Sequence, residues 1–401
     1  MKKLTLILIL LLATITISKA DSWTRKADFP GIGRAKGVGF SIGNIGFVGA
    51  GLGSDMHGLV WFEDFWAWDQ LVNIWRYKAN LTGLSSAVIF PIGGKGYMGT
   101  GDNNYTRYSI FGEWDTAMFS LTGKANFGGG AREDACGFTI GTKGYIGTGL
   151  GNNGYNNDLW EWDLPSNTWT QKANLPGDSR ICAVSFVINN KGYIGLGKNS
   201  SNQYLNDFWE WDQANNIWTQ KANYIGVERY KAVGFSIGTI GYVGTGMQDT
   251  STFYNDFWSF DPISNIWTQK ANFGGEVRGG AVSFSIGSKG YIGTGYNYNN
   301  YFNDFWEYTP DSTNGIPELT QEIKTSLYPN PMQDKTILTI QGSSKNALLN
   351  IYDINGQKVR SISTDNRQEI IISRDNLASG IYFYELKNSQ AILSSGKIVV
   401  E

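Results

Sequence analysis

Short runs of apolar or alternating residues, cut by breaks rich in glycine and asparagine, recur along most of this chain. Three fragments return in fixed order. The first is a glycine and an aromatic followed by a glycine-rich end, as in Lys143-Gly-Tyr-Ile-Gly-Thr-Gly149. The second is Asn206-Asp-Phe-Trp-Glu-Trp-Asp212 and the third is Ile217-Trp-Thr-Gln-Lys-Ala222. In the second fragment Phe208, Glu210 and Asp212 alternate with Trp209 and Trp211, the period of two expected of a strand with two different faces. Each repeat reads as four strands, placed in one of them at about 182–188, 191–197, 206–212 and 217–221. The first of these, small and apolar, suits an inner position close to a central axis.

The aromatic of the first fragment counts the repeats. It falls at Phe47, Tyr97, Tyr145, Tyr193, Tyr242 and Tyr291, so successive intervals are 50, 48, 48, 49 and 49 residues. A lone four-stranded sheet leaves a face unburied. Six sheets stacked around an axis cover one another and keep only short edges. The last repeat stops at Asn303-Asp-Phe-Trp-Glu-Tyr308 without its fourth strand, and that strand's motif stands at the other end as Trp23-Thr-Arg-Lys-Ala27. Residues 22–26 are therefore expected to complete the last sheet and close the ring, removing an edge that invites aggregation. The second repeat is degenerate. It has Ile110-Phe-Gly-Glu-Trp-Asp115 and places Phe119 where the others carry tryptophan.

Beyond Tyr308 the pattern changes. Residues 310–325 read as a polar linker. Tryptophan then disappears, and alternating runs follow at Thr336–Ile340, Leu348–Asp353, Glu369–Ile372, Gly380–Leu386 and Ile392–Val400, with a turn at Asp353-Ile-Asn-Gly356. This is the pattern of a small β-sandwich over 326–401.

Composition narrows the class. The 401 residues are 41% hydrophobic and 14% aromatic, with 15 Trp and 51 Gly, which favours a real core of many short strands. A net charge of −2 with no basic stripe argues against a nucleic-acid partner. Residues 1–20 have the form of a secretory signal: Lys2 and Lys3, the apolar run Leu4 to Ile17, then Ser18-Lys19-Ala20. The mature chain is expected to start near Asp21, exported, with no transmembrane segment. Cys136 and Cys182 are expected to be free or merely packed, although an oxidising compartment permits a disulfide.

The repeated fragments resemble the kelch family, including the propellers of galactose-oxidase-like proteins, over residues 21–309. The resemblance implies an all-β fold, a six-bladed kelch-type β-propeller closed by an N-terminal strand. One departure is that the family's Gly-Gly doublet is mostly Gly-Thr-Gly here. The segment 326–401 resembles the C-terminal sorting domain of the bacterial type IX secretion system, through Leu327-Tyr-Pro-Asn-Pro331, Ile351-Tyr-Asp-Ile-Asn-Gly-Gln-Lys-Val359, Leu377-Ala-Ser-Gly-Ile-Tyr-Phe-Tyr384 and Gly396-Lys-Ile-Val-Val-Glu401. That resemblance implies a small Ig-like β-sandwich read by outer-membrane secretion machinery. Its motif residues are Tyr328, Pro329, Asn330, Pro331, Gly356, Gly380, Tyr382 and Lys397. Such domains are commonly removed, leaving the cargo secreted or attached to the cell surface.

Two sets of repeated residues fall on the long-loop face, where function usually sits. Arg34, Arg132, Arg180, Arg229 and Arg278, with Leu84 in the second repeat, suggest a broken ring of guanidinium groups at a channel mouth. Such a ring suits carboxylate, phosphate or sugar hydroxyls; the alternative is that each arginine bonds loop carbonyls or a carboxylate of the neighbouring repeat. Trp61, Tyr155, Tyr204, Phe253 and Tyr301 precede the third strand and suit contact with a glycan or a protein, or else fold back on their own sheets. Asp64, Asp158, Asp207, Asp256 and Asp304 recur once per repeat, which argues for a repeated structural bond. The single histidine, His57, excludes a two-histidine copper oxidase site and a histidine-rich zinc site within one chain. No cofactor or metal is expected. The reading is an exported binding or interaction protein, with a carbohydrate-active enzyme using a carboxylate pair as the alternative.

Overall fold

The computed structural model describes residues 21–401 apart from 56–57, 81–82, 105, 116–119, 312–323, 342–346, 354–356, 365–366 and 388–391. The expected signal at 1–20, His57, Phe119 and Gly356 lie outside the described residues. Among those described there are strands and turns but no helix, and hence none long and apolar enough to cross a membrane. The chain divides into two compact units between Asp311 and Ser312.

The first unit contains six four-stranded antiparallel sheets among its described residues. The fourth runs Val184–Ile188, Lys191–Gly195, Phe208–Asp212, Ile217–Lys221 in spatial and chain order. First strands adjoin in a closed cycle: Val38–Ile42, Val88–Ile92, Cys136–Ile140, Val184–Ile188, Val233–Ile237, Val282–Ile286 and back to Val38–Ile42. The sixth sheet takes its outer strand from the N terminus. Ser22–Arg25 pairs antiparallel with Phe305–Thr309, with Trp23 opposite Tyr308.

Packing between sheets explains the repeated motif. The glycine before each motif aromatic lies under a phenylalanine of the preceding sheet. A Cβ on Gly144 would stand 2.2 Å from the Phe90 ring, and one on Gly192 would stand 2.5 Å from Phe138. The second tryptophan of the third strand plugs the same interface. Trp162 is fully buried, with its ring 4.9 Å from Tyr97 and 5.0 Å from Phe111, both of the preceding sheet. Each such aromatic removes a large apolar area from water, so every inter-sheet contact contributes a few kcal/mol.

An outer belt of hydrogen bonds repeats as well. Trp75, Trp169, Trp218 and Trp267 donate their indole N–H to the carbonyls of Ala27, Ala125, Ala173 and Ala222 in the preceding sheets. At the seam Trp23 does the same to Ala271, 3.0 Å away. Where four other interfaces use an asparagine oxygen to accept from the alanine N–H, the seam uses the Asp21 carboxylate, 2.6 Å from Ala271 N.

In the second unit a three-stranded sheet (Lys324–Tyr328, Lys335–Gln341, Glu369–Ser373) and a four-stranded sheet (Lys358–Ser363, Leu348–Tyr352, Gly380–Lys387, Ile392–Val400) share one core. Two of these strands, Lys324–Tyr328 and Lys358–Ser363, were not anticipated. The first begins inside the expected linker, because Leu327 packs against the shared core.

Candidate functional site

The five arginines stand where the chain enters five of the six sheets, and their contacts are those of the structural alternative, with the carboxylate coming from the same sheet. Arg34, Arg132, Arg180, Arg229 and Arg278 are all at most 1% exposed. Each grips one carboxylate with two nitrogens. For Arg180 both contacts to Asp207 are 2.6 Å, and for Arg132 the contacts to Asp158 are 2.6 and 2.8 Å. Arg34, Arg229 and Arg278 hold Asp64, Asp256 and Asp304 in the same way. Most remaining donors go to backbone carbonyls, such as Leu196 O at 3.1 Å from Arg180, whereas Arg132 Nε is buried without a partner. Aromatic rings lie over four of the guanidinium planes; Arg34 is 4.5 and 4.2 Å from the Phe29 and Phe62 centroids. The same carboxylates accept from Trp66, Trp160, Trp209, Trp258 and Trp306. A buried charge needs a partner, and here each guanidinium receives its carboxylate from the chain. These guanidinium groups brace loops instead of facing a ligand.

Two residues further on, the chain does face the channel. Lys36, Ser86, Asp134, Cys182, Lys231 and Gly280 occupy equivalent positions, and each has φ between 50 and 62°. Their backbones form a ring. Lys36 N–H donates to Gly280 O, Ser86 to Lys36, Asp134 to Ser86, Cys182 to Asp134, Lys231 to Cys182 and Gly280 to Lys231, at 2.8 to 3.3 Å. The left-handed turn frees each N–H from its own sheet and aims it at the neighbouring one. This ring rims one end of a narrow axial channel lined by the first strands, of about 180 Å³.

The backbone of the ring is uniform while its side chains are not. Lys36 Nζ lies 3.9 Å from the Asp134 carboxylate. Burial opposes ionisation of Asp134, but Lys36 and Lys231 outweigh it and hold its carboxyl below the usual aspartate range. Burial likewise opposes the charge on Lys231. Cys182, Tyr296 and Asp134 outweigh that, and the ammonium donates to Tyr296 Oη at 2.9 Å. Glu133 is driven the other way: burial, then Asp134 and Asp102, raise its carboxyl above the usual glutamate range against Arg107, 2.9 Å away. Cys182 is not in a disulfide, and burial followed by Asp134 raises its thiol well above the usual value. Cys136 is also free, and burial pushes it up to about 11, so neither thiol is poised as a nucleophile.

Aromatic residues border the rim over the fourth to sixth repeats. Tyr204 packs 5.6 Å from Tyr230, and Tyr301 stacks on Tyr296 at 5.8 Å. Lys198 and Lys231 lie over these rings, at 5.6 and 5.2 Å from the Tyr230 centroid. Phe253 meets Tyr296 edge-on. Burial raises the Tyr155 hydroxyl above its ordinary range. Of the expected aromatics, Tyr204 and Tyr301 join this row, while Tyr155 pairs with Leu150 in a hairpin of the third repeat. Trp61 pairs with Leu52 in a hairpin of the first repeat and makes no ring contact with this row among the described residues. Sequence reasoning missed the rim residues themselves. Their signal was available: they stand two positions after each repeated arginine and vary between cation, anion, thiol and glycine.

In the second unit, Asn330 ties its turn to the last strand, donating to Lys397 O and accepting from Val399 N, both at 2.8 Å. Pro329 and Pro331 follow cis bonds. Tyr382 is buried and donates to Ala378 O at 3.1 Å, while Tyr328 and Lys397 are exposed. Gly380 has φ 156°, at the margin of the range other residues avoid.

The geometry defines an all-β protein with a propeller-like first unit and a separate tail. Residues 326–401 match the family described as the secretion system C-terminal sorting domain. That tail supports export by type IX secretion, which implies interaction with the secretion machinery and release or cell-surface attachment. The solved structure titled "Structure of YjhT" is similar, with a TM-score of 0.60 and 12% identity over 79% of this chain and 99% of that chain. At that identity the likeness bears on the fold alone. No curated protein matches the chain.

Proposed function

We propose that this chain is a signal-directed export product: a six-bladed kelch-type propeller over 21–309, a short linker and an Ig-like sorting sandwich over 326–401. In this reading the propeller is a binding module, and its ligand is a glycan seated on the rim. The observation that carries it is the contrast between the ring's uniform backbone and its unlike side chains, beside a row of tyrosines. Tyrosine faces suit sugar rings, and Lys36, Lys231 and Asp134 suit hydroxyls and ring substituents. A glycan array probed with the full chain and with Lys36→Ala/Lys231→Ala tests it. Loss of discrete glycan signals in the folded double variant is the expected result; identical profiles reject the rim as the site.

One observation favours a second reading, a carbohydrate-active enzyme. Asp102, Glu133 and Asp134 are non-equivalent carboxyls at one rim, and Glu133 and Asp134 are pushed in opposite directions. Acid–base pairs need that split. Release of reducing ends from an array-positive glycan, abolished by Glu133→Gln, would separate catalysis from binding.

A further inference from the structure

Four turns join the third and fourth strands of their sheets in one way, at 69–73, 163–167, 212–216 and 261–265. Each begins on an aspartate whose carboxylate accepts from a turn N–H, that of Leu71, Ser166, Ala214 or Ile263. Each ends on an asparagine with φ between 52 and 58°, whose oxygen accepts from an alanine N–H of the preceding sheet. In the second sheet part of this turn lies outside the described residues.

In the sixth sheet the turn is open. Thr309 stands at the aspartate position, followed by Pro310 and Asp311, while Asp21 stands at the asparagine position and comes from the other end of the chain. Asp21 takes over the asparagine's bonds. It accepts from Ala271 N at 2.6 Å and from Tyr308 Oη at 3.1 Å, where Trp68, Trp162 and Trp211 donate to asparagine in other sheets. With Ser22 opposite Thr309, the Asp21 nitrogen and Asp311 stand at the two open ends. Their counterparts in an intact turn, such as Ala214 and Asn216, are two residues apart.

The open ends are short of positive charge. Asp21 and Asp311 face Lys270, Tyr242 and Tyr308. Lys270 is buried and reaches Asp311 Oδ2 at 3.2 Å. Burial raises the hydroxyls of Tyr242 and Tyr308, and the charges of Asp21 and Asp311 add to it, so neither phenol is ionised. One ammonium thus serves two carboxylates. Asp311 Oδ1 is buried with no hydrogen-bond partner among the described residues, which is costly for a carboxylate oxygen.

We propose that the α-ammonium created by cleavage after Ala20 supplies the missing charge and pairs with Asp311 across the open turn. The proposal rests on the reading of residues 1–20 as a signal removed on export. In the precursor the Asp21 nitrogen is an uncharged amide, so the seam gains its last ion pair only on processing. Closure of the ring is thereby coupled to export, and the processed chain is more firmly closed than its precursor.

Thermal melts of two full mature chains test it, one starting at Asp21 and one with the same nitrogen blocked by a tryptophan-free fusion leader. The free chain should melt at least about 2 °C higher, and Asp311→Asn should erase the difference. The gain is complete below the ordinary α-amino pKa of about 7.7 and is lost as pH rises through the raised folded value. Where Asp311→Asn does not fold, 13C NMR of the reductively methylated Asp21 chain reads the α-amino pKa directly, and a value above about 8 is expected. A value at or below that, equal melting of free and blocked chains, or a difference that survives in a folded Asp311→Asn chain overturns the pairing. Mass spectrometry of the exported protein reads the start separately. A terminus elsewhere than Asp21 rejects the signal reading and the pairing with it, whereas a start at Asp21 without a melting difference rejects the pairing alone.

Discussion

Arg180 and Asp207 show how one repeated pair governs a loop. The pair is buried, bidentate and shared with Trp209, so removing one member leaves an uncompensated charge. Arg180→Ala is expected to cost about 3–5 kcal/mol in urea unfolding. The second repeat shows the alternative: Leu84 stands at the arginine position and Ile110 at the carboxylate position, so both members are lost together. Arg180→Leu combined with Asp207→Ile should therefore cost much less than either single change, which a double-mutant cycle measures. Acid should act on the same class of residue. Burial opposes the charges of Asp207, Glu161 and Glu210, but Arg180 and the paired lysines and tyrosines outweigh it, and all three carboxyls lie below their ordinary range. The unfolded chain then holds more protons than the native one in mild acid. This stability is complete above the ordinary carboxylate pKa of about 4 and is lost as pH falls through the lowered values, so urea midpoints should drop steeply below about pH 4.

Among elements, the N-terminal strand has the clearest consequence. Ser22–Arg25 pairs with Phe305–Thr309, Trp23 reaches Ala271, and Asp21 bonds both Ala271 N and Tyr308 Oη. Deleting 21–27 opens the cycle and should lower the melting temperature markedly, whereas an unchanged melt would mean the strand is dispensable. Trp23→Ala alone should cost about 3–5 kcal/mol. This pairing was legible in the sequence because a motif missing at one end stood at the other. The rim was not. The arginines were conspicuous and rim-like in a linear reading, yet burial and Asp partners turn them inward. Lys36, Asp134 and Lys231 look unrelated until six turns bring them to one circle.

At the scale of the molecule, the two units have separate cores. Removing residues 312–401 should leave a folded first unit that is retained in the periplasm, read by fractionation and proteolysis. Surface delivery of that truncated chain would contradict the role of the tail. The sequence alone determined the strand pattern, the number of repeats, the matching ends and the tail's motifs. These depend on spacing and residue type, which local backbone preference and burial make visible in one dimension. Only the tertiary structure decided which polar residues face solvent and which face a partner. Those outcomes depend on distances between sheets some fifty residues apart in the chain, and pairing across such a gap leaves no local signature.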